Sequence, residues 1–336
     1  MSPFPTRQLG GEPVSSIGFG TMGLSAFYGA VESDEDRFKV LDAAYAAGCT
    51  FWDTADVYDD SEVLLGKWFK RTGLRDKIFL ASKFGFTGSG INGSAAYTRQ
   101  AVESSLKKLG VDHIDLYYLH RPDTKTPIEI TVGELAKFVK AGKIKHIGLS
   151  ECSASTLQRA CAVHSIAALQ VEYSIFTLDI EDPKIGVLKA ARELGVSIIA
   201  YSPLGRGLLT GQYKSPDDFE EDDFRKKVPR YSKENFPNIL KIADGLKKIG
   251  EKHNASAGQV ALAWLLAQGD DVIPIPGTKK IKYLEENLKA ATIKLSKDEV
   301  QEVRKLAEGA NANQGDRYPA GMTEQLFADT PPLNEV

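Results

Sequence analysis

Ile114-Asp115-Leu116-Tyr117-Tyr118-Leu119-His120 is a short apolar run that ends on an ionisable side chain. A run of this kind, rich in branched and aromatic residues, reads as a buried β-strand. The plan recurs upstream. Ile78-Phe79-Leu80-Ala81-Ser82-Lys83 ends on an ammonium, and Thr50-Phe51-Trp52-Asp53 ends on a carboxylate with Tyr58 in the loop beyond it. Five more strand candidates, Ile17–Gly20, Ile144–Ser150, Ala167–Val171, Val196–Tyr201 and Val272–Ile275, bring the total to eight.

Amphipathic segments lie between the strands. Phe38, Leu41 and Tyr45 share a helical face after a capping-box pattern, Ser33 with Asp36. Val102, Ser105, Leu106 and Leu109 form another face. Asp182-Pro183 reads as the cap and first residue of a helix over Val187, Leu188 and Ala191, closed by Gly195. Ser296 and Glu299 make a second capping box, ahead of Val300, Val303 and Ala307. Strand and helix alternating in this way predict an α/β fold, either a (β/α)8 TIM barrel or a doubly wound sheet. Eight strands, with ionisable groups at several strand ends, favour the barrel, whose C-terminal strand ends converge on one mouth.

The expected unit is one barrel domain over 1–336. It is interrupted by a long loop at 207–237, which reads equally as a lid or a solvated excursion. An irregular tail runs from 311, and its Arg317, Tyr318 and Phe327 either reach the pocket or belong to a disordered end. Gly18-Phe19-Gly20-Thr21-Met22-Gly23 spells G-x-G-x-x-G, but the next helix is expected only near Asp34, so it reads as a Gly-rich turn.

The formal net charge of −3 gives no reason to expect a nucleic acid or a membrane as partner. Cys49, Cys152 and Cys161 show no metal-ligand spacing and fit a reducing compartment, so no metal is expected. Met1 to Gln8 contains no apolar signal-peptide core, and no apolar stretch approaches the roughly 20 residues of a membrane span. The expectation is a cytoplasmic monomer.

Asp53, Tyr58, Lys83 and His120 would bring a carboxylate, a phenol, an ammonium and an imidazole to one mouth. That set suits carbonyl reduction. A phenol with pKa about 10 is a poor acid at neutral pH. A nearby ammonium stabilises tyrosinate and improves it as a proton donor. Lys83 would supply that charge, Asp53 would hold Lys83, and His120 would fix the carbonyl oxygen. No side chain is a hydride source, so a nicotinamide cofactor is implied. Taken singly, each residue also reads blandly: Asp53 as a turn cap, Tyr58 as a packed aromatic, His120 as a satisfied core histidine.

Together with Gly18 to Gly23, Trp52 to Tyr58, Ser82-Lys83, Leu116 to His120, Ile147 to Ser150, Tyr201 to Gly207 and Ile275 to Lys279, these residues give a chain that resembles the aldo-keto reductases over nearly its whole length. It looks most like their fungal and plant branch, including perakine-reductase-like and aryl-alcohol-dehydrogenase-like enzymes. The resemblance implies a (β/α)8 barrel that reduces aldehydes, aromatic ones among them, or ketones with NADPH. Asp53, Tyr58, Lys83 and His120 would be its catalytic tetrad, with Tyr58 the proton donor. Gly20, Thr21, Met22 and Asp53 would meet the cofactor. Ser150 and Gln170 would hold its carboxamide, and Tyr201 would stack on its ring. Ser202, Leu204 and Gly207 would line the pyrophosphate path. Gly277, Thr278, Lys279, Lys280, Glu286 and Asn287 would surround the adenosine end. Tyr283 stands where the family often has glutamine or arginine.

The size of the substrate pocket is expected to depend on the loops around Phe27, Tyr28, Phe84, Phe86 and Phe176. Two rivals remain: a regulatory binding protein like the potassium-channel β subunits, and a phosphate-binding barrel isomerase. Turnover of an aromatic aldehyde separates both from a reductase.

Overall fold

The computed structural model describes residues 4–335 apart from Tyr28 and Asp222. Eight parallel strands stand side by side in chain order. They are β1 (Phe19–Gly20), β2 (Phe51–Asp53), β3 (Phe79–Phe84), β4 (Ile114–Leu119), β5 (Ile144–Ser150), β6 (Ile166–Glu172), β7 (Ser197–Tyr201) and β8 (Val272–Pro274). Backbone bonds join the first strand to the last: Gly18 N–H donates to the Pro274 carbonyl at 2.9 Å and Gly20 N–H to that of Pro276 at 3.2 Å. The fold is the expected (β/α)8 barrel. Its seam is tight. A Cβ on Gly277 would stand 2.6 Å from the Gly20 carbonyl oxygen, and one on Gly20 would stand 2.9 Å from that of Ile275. Glycine lets the two backbones approach this closely.

Side chains alternate along each strand, because the pleat sends successive residues to opposite faces. Phe51, Phe79, Ala81, Leu116, Tyr118, Ala168, Ile199 and Ile273 fill the barrel interior. Trp52, Leu80, Tyr117, Leu169 and Ile198 face the helices instead. At the end opposite the mouth, the hairpin of Thr6–Leu9 and Glu12–Ser15 adds Leu9 and Val14 to the inner cluster. Arg7 ties this plug to the Val272 and Leu266 carbonyls, and His146 pairs with Glu12 at 2.9 Å.

Most helix boundaries fall near their expected places. Ser33 caps Asp34–Ala46, though the buried face is Arg37, Val40, Leu41 and Ala44, with Phe38 and Tyr45 half-buried at its flanks. Val102, Ser105, Leu106 and Leu109 are all buried on Ala95–Leu109. The capping box of Ser296 and Glu299 opens Lys297–Ala310. Asp182-Pro183 does not start a helix. The Asp182 carboxylate accepts from Lys184 N–H, and its carbonyl from Gly186 N–H, closing a turn. The helix begins after Gly186, at φ +66°, and spans Val187–Glu193. The chain after Gly20 also departs from expectation: one helical turn, Met22–Ser25, follows Thr21 directly.

The segment after β7 is a chain of 3-10 turns, and a long helix, Phe236–Glu251, opens within its expected far end. Arg225 pins this segment, lying 4.5 Å from the ring centres of Tyr213 and Phe219 and paired with Asp223. Among the described residues no helix is long and apolar enough to cross a membrane.

Candidate active site

The strand pleat settles which polar groups meet. Phe51 points inward and Trp52 outward, so Asp53 points inward. Phe79 and Ala81 are inward, and Lys83 follows in the same phase. Leu116 and Tyr118 are inward, and so is His120. By the same alternation Ser150, Gln170 and Tyr201 face the interior.

Lys83 is fully buried, and its ammonium donates to Asp53 Oδ1 at 2.5 Å, to the Thr54 carbonyl at 2.7 Å and to the Tyr58 phenol at 3.4 Å. The Tyr58 ring meets His120 edge-on at 5.8 Å, and Phe86 packs edge-on against His120 at 4.8 Å. Among the described residues His120 Nδ1, which is buried, has no hydrogen-bond partner.

Burial disfavours the Lys83 ammonium, but Asp53 and Tyr58 outweigh it and raise its pKa. Burial raises the Tyr58 pKa, with Lys83 pulling against it. His120 is held well below the usual imidazole range by burial and by the charges of Lys83 and Arg121, so its ring is neutral. The site is therefore a charged lysine, a protonated phenol and a neutral imidazole. Asp56 is pushed up to about 7 by burial and then by Glu62, and among the described residues its Oδ1 has no partner.

The residues expected around a cofactor also lie at the mouth end of the strands. The Thr21 hydroxyl donates to the Asp53 carbonyl at 3.0 Å, and Met22 opens the short helix beside it. The Gln170 amide donates to Asp53 Oδ2 at 2.8 Å, so it shares the carboxylate that holds Lys83. Ser150 accepts from Arg121 at 3.2 Å. Beyond Tyr201 the chain curls past Leu204 through left-handed positions at Ser202 (φ 49°), Gly205 (56°), Arg206 (56°) and Gly207 (92°). Gly277 lies on the seam. Thr278, Lys279 and Lys280 lead into the helix Ile281–Lys289, which has no side-chain cap. Lys279 donates to the Ala30 carbonyl at 2.7 Å, and Lys280 lies 5.9 Å from the Tyr283 ring centre. Glu286 accepts from the Ser256 hydroxyl at 2.5 Å, and Asn287 is buried.

The expected pocket aromatics divide. Phe27 stands 6.4 Å edge-on from Tyr58, and Phe86 abuts His120. Phe84 and Phe176 do not line the mouth: Phe84 stacks on Tyr117 in the outer core, and Phe176 is buried against Tyr231. Tyr28 lies outside the described residues.

Of the two readings of the tail, the one in which Arg317 and Tyr318 reach the pocket holds, and the carboxylates that receive them, Glu151, Glu172 and Asp179, were not expected from the sequence. Glu151 accepts from the Tyr201 hydroxyl at 2.8 Å. Arg317, from the C-terminal tail, pairs with Asp179 at 3.0 Å, Glu172 at 3.4 Å and Glu151 at 3.5 Å. The adjacent Tyr318 shares a hydrogen bond with the Tyr201 hydroxyl at 3.0 Å. The tail is therefore fastened to the mouth rather than loose. Arg121, Glu151 and Glu172 each sit at a strand end or within two residues past one, the signal that found Lys83.

The sequence matches the Aldo/keto reductase family over residues 16–308. It is 65% identical over 336 residues to aldo-keto reductase str7 of Strobilurus tenacellus, covering 98% of this chain and 99% of that one. It is 53% identical over 337 residues to aldo-keto reductase yakc [NADP(+)] of Schizosaccharomyces pombe, covering 98% of each. The fold superimposes on the glycerol dehydrogenase AKR11B4 of Gluconobacter oxydans with a TM-score of 0.83 at 30% identity, covering 93% of this chain and 97% of that one. It also superimposes on the thermostable aldo-keto reductase Tm1743, solved with the inhibitor epalrestat. That TM-score is 0.73 at 31% identity, covering 90% of this chain and 100% of that one.

Proposed function

This chain belongs to the aldo/keto reductase family, and from that premise we propose that it reduces small aldehydes, aromatic ones among them, or ketones to alcohols with NADPH, Tyr58 giving the proton. The observation that carries this reading is the fully buried Lys83, bonded at once to Asp53 and Tyr58. A buried ammonium is costly without a counter-ion. Its placement on a phenol at the barrel mouth gives that phenol a stabilised conjugate base.

The residues present suit a nicotinamide dinucleotide phosphate. Tyr201 offers an aromatic face at the mouth. The left-handed run from Ser202 to Gly207 suits a backbone bent around a pyrophosphate. Lys279 and Lys280 precede an uncapped helix N-terminus, where cations are unfavourable unless an anion sits among them. The bound cofactor supplies the hydride. Lys83 holds the phenol ready to lose its proton, Asp53 holds Lys83, and the neutral His120 positions the carbonyl oxygen beside Tyr58. Phe27 and Phe86 give the substrate side an aromatic wall. We read the whole chain as one working domain, because the tail residue Arg317 completes the cluster under Tyr201.

Following NADPH oxidation across a panel of aldehydes and ketones tests this. Turnover of at least one aldehyde is expected. No oxidation with any carbonyl compound, despite tight NADPH binding, would point to a binding protein instead.

A further inference from the structure

We infer that Glu151 is a positioning residue: held in place by the C-terminal tail, it fixes the Tyr201 ring in the pose that receives the nicotinamide. The inference rests on the reductase reading above and adds to it a residue that acts through another. Glu151 itself is sealed from the mouth, at 0% exposure.

Tyr201 ends β7, and its hydroxyl donates to Glu151 Oε1 at 2.8 Å. A phenol has one proton, so the Tyr318 hydroxyl, 3.0 Å away, is the donor in the second bond. Burial, and after it Glu151, holds the Tyr201 phenol well above its usual range, and the shared proton stays on its oxygen. Two bonds on that oxygen set the tilt of a ring that otherwise turns about its side-chain bonds.

The backbone of Glu151 stands at φ 51°, in the left-handed region that a side chain enters at a cost. Such a residue persists where its surroundings over-determine it. Its N–H donates to the Gln170 carbonyl at 3.0 Å, Oε1 also accepts from the Glu172 N–H at 3.0 Å, and Oε2 faces Arg317 at 3.5 Å. Glycine would take this conformation without strain, but it would bring no carboxylate to Tyr201. Serving as counter-ion to Arg317 is the weaker account of that carboxylate. Asp179 at 3.0 Å and Glu172 at 3.4 Å both lie nearer to Arg317, whereas the shortest side-chain bond of Glu151 is the one to Tyr201.

The tail closes on the same loop. Ala328 pairs beside Cys152, and its carbonyl accepts from the Ser153 N–H at 3.1 Å. Asp329 accepts from the hydroxyls of Ser153 and Thr156. Arg159 donates to the Thr330 and Pro331 carbonyls at 2.8 and 2.7 Å. Residues 151–153 are thus each tied to the tail, directly after Ser150 at the end of β5.

The test compares dissociation constants for NADPH and for adenosine 2′,5′-bisphosphate, which carries the adenosine end and no nicotinamide. Tyr201→Phe keeps the ring, and Glu151→Gly suits the left-handed backbone, so both should fold, as thermal unfolding will show. Each should weaken NADPH binding by roughly two- to tenfold, the cost of ordering one side chain on binding. Neither should change the affinity for the bisphosphate. The double variant should lose no more than Tyr201→Phe alone, because Glu151 acts through that hydroxyl. Glu151→Gln, whose amide oxygen still accepts from Tyr201, should recover most of the affinity. Unchanged NADPH affinity in Tyr201→Phe, equal losses for the two ligands, or additive losses in the double variant would overturn the inference. If Glu151→Gly fails to fold, Tyr201→Phe decides by itself. A wild type that binds NADPH but reduces no carbonyl compound would sink the reductase reading, and the titrations would still decide the role of Glu151. A wild type that binds no NADPH would overturn both.

Discussion

The ammonium nitrogen of Lys83 stands 3.4 Å from the phenol oxygen of Tyr58 and 4.8 Å from the centre of its ring. Both are drawn upward in pKa, so in the resting site the lysine carries charge and the phenol keeps its proton. The arrangement opposes two effects on one oxygen. Burial resists ionisation of the phenol, and the ammonium favours it.

Lys83→Met removes the favourable effect alone. The proton donor's pKa should rise further, and carbonyl reduction should slow by about 10²–10⁴. The substitution also leaves the Asp53 carboxylate buried without its ion partner, which costs about 3–5 kcal/mol. Asp53→Asn combined with Lys83→Met should recover part of that stability but none of the turnover. Thermal unfolding and pH–rate profiles of both variants check this. A profile unchanged in height and shape would exclude the pairing.

NADPH should bind more tightly than NADH, and the difference should depend on Lys279 and Lys280. In this structure Lys279 donates to the Ala30 carbonyl, so a 2′-phosphate would have to draw it from that bond. One charge-assisted contact contributes about 1.5–3 kcal/mol. The Lys279→Ala, Lys280→Ala double variant should therefore lose roughly tenfold or more in NADPH affinity and little in NADH affinity. Equal losses for the two cofactors would withdraw the lysines from phosphate recognition.

Asp56 should make the fold less stable as the pH rises from about 4 to about 7. Its carboxyl is pushed up to about 7, against an unfolded value of about 4. A raised carboxyl pKa means that the folded chain holds the proton more tightly than the unfolded one. The folded state is thus penalised progressively between those two values and constantly above them. Asp56→Asn cannot ionise. Its unfolding midpoint relative to wild type should climb between about pH 4 and about pH 7 and then level off. A difference independent of pH would show that Asp56 titrates normally.

Much of this site was legible in the chain because strand alternation is a local property. Once Phe79, Ala81 and Lys83 share a phase, the lysine must face the barrel interior whatever the loops do. Asp53 and His120 follow by the same rule. Arg121 and Glu151 sit two residues and one residue past such strand ends, and their significance lies in which partners surround them, which spacing does not encode. Arg317 is harder still. Its partners Glu151, Glu172 and Asp179 are far away in sequence, and the tail that carries it has no periodicity. Asp182-Pro183 misled because the same two residues that cap a helix also close a turn, and the left-handed Gly186 decides between them.

Tyr58→Phe, assayed for NADPH binding and for aldehyde reduction, tests most directly whether Tyr58 gives the proton. The phenol oxygen is the only atom removed, and the ring that packs against His120 and Phe27 remains. NADPH affinity should stay within about twofold of wild type, while kcat falls by about 10²–10⁴. A variant that binds NADPH normally and keeps the wild-type kcat would contradict the account, because the proton would then have to come from another group.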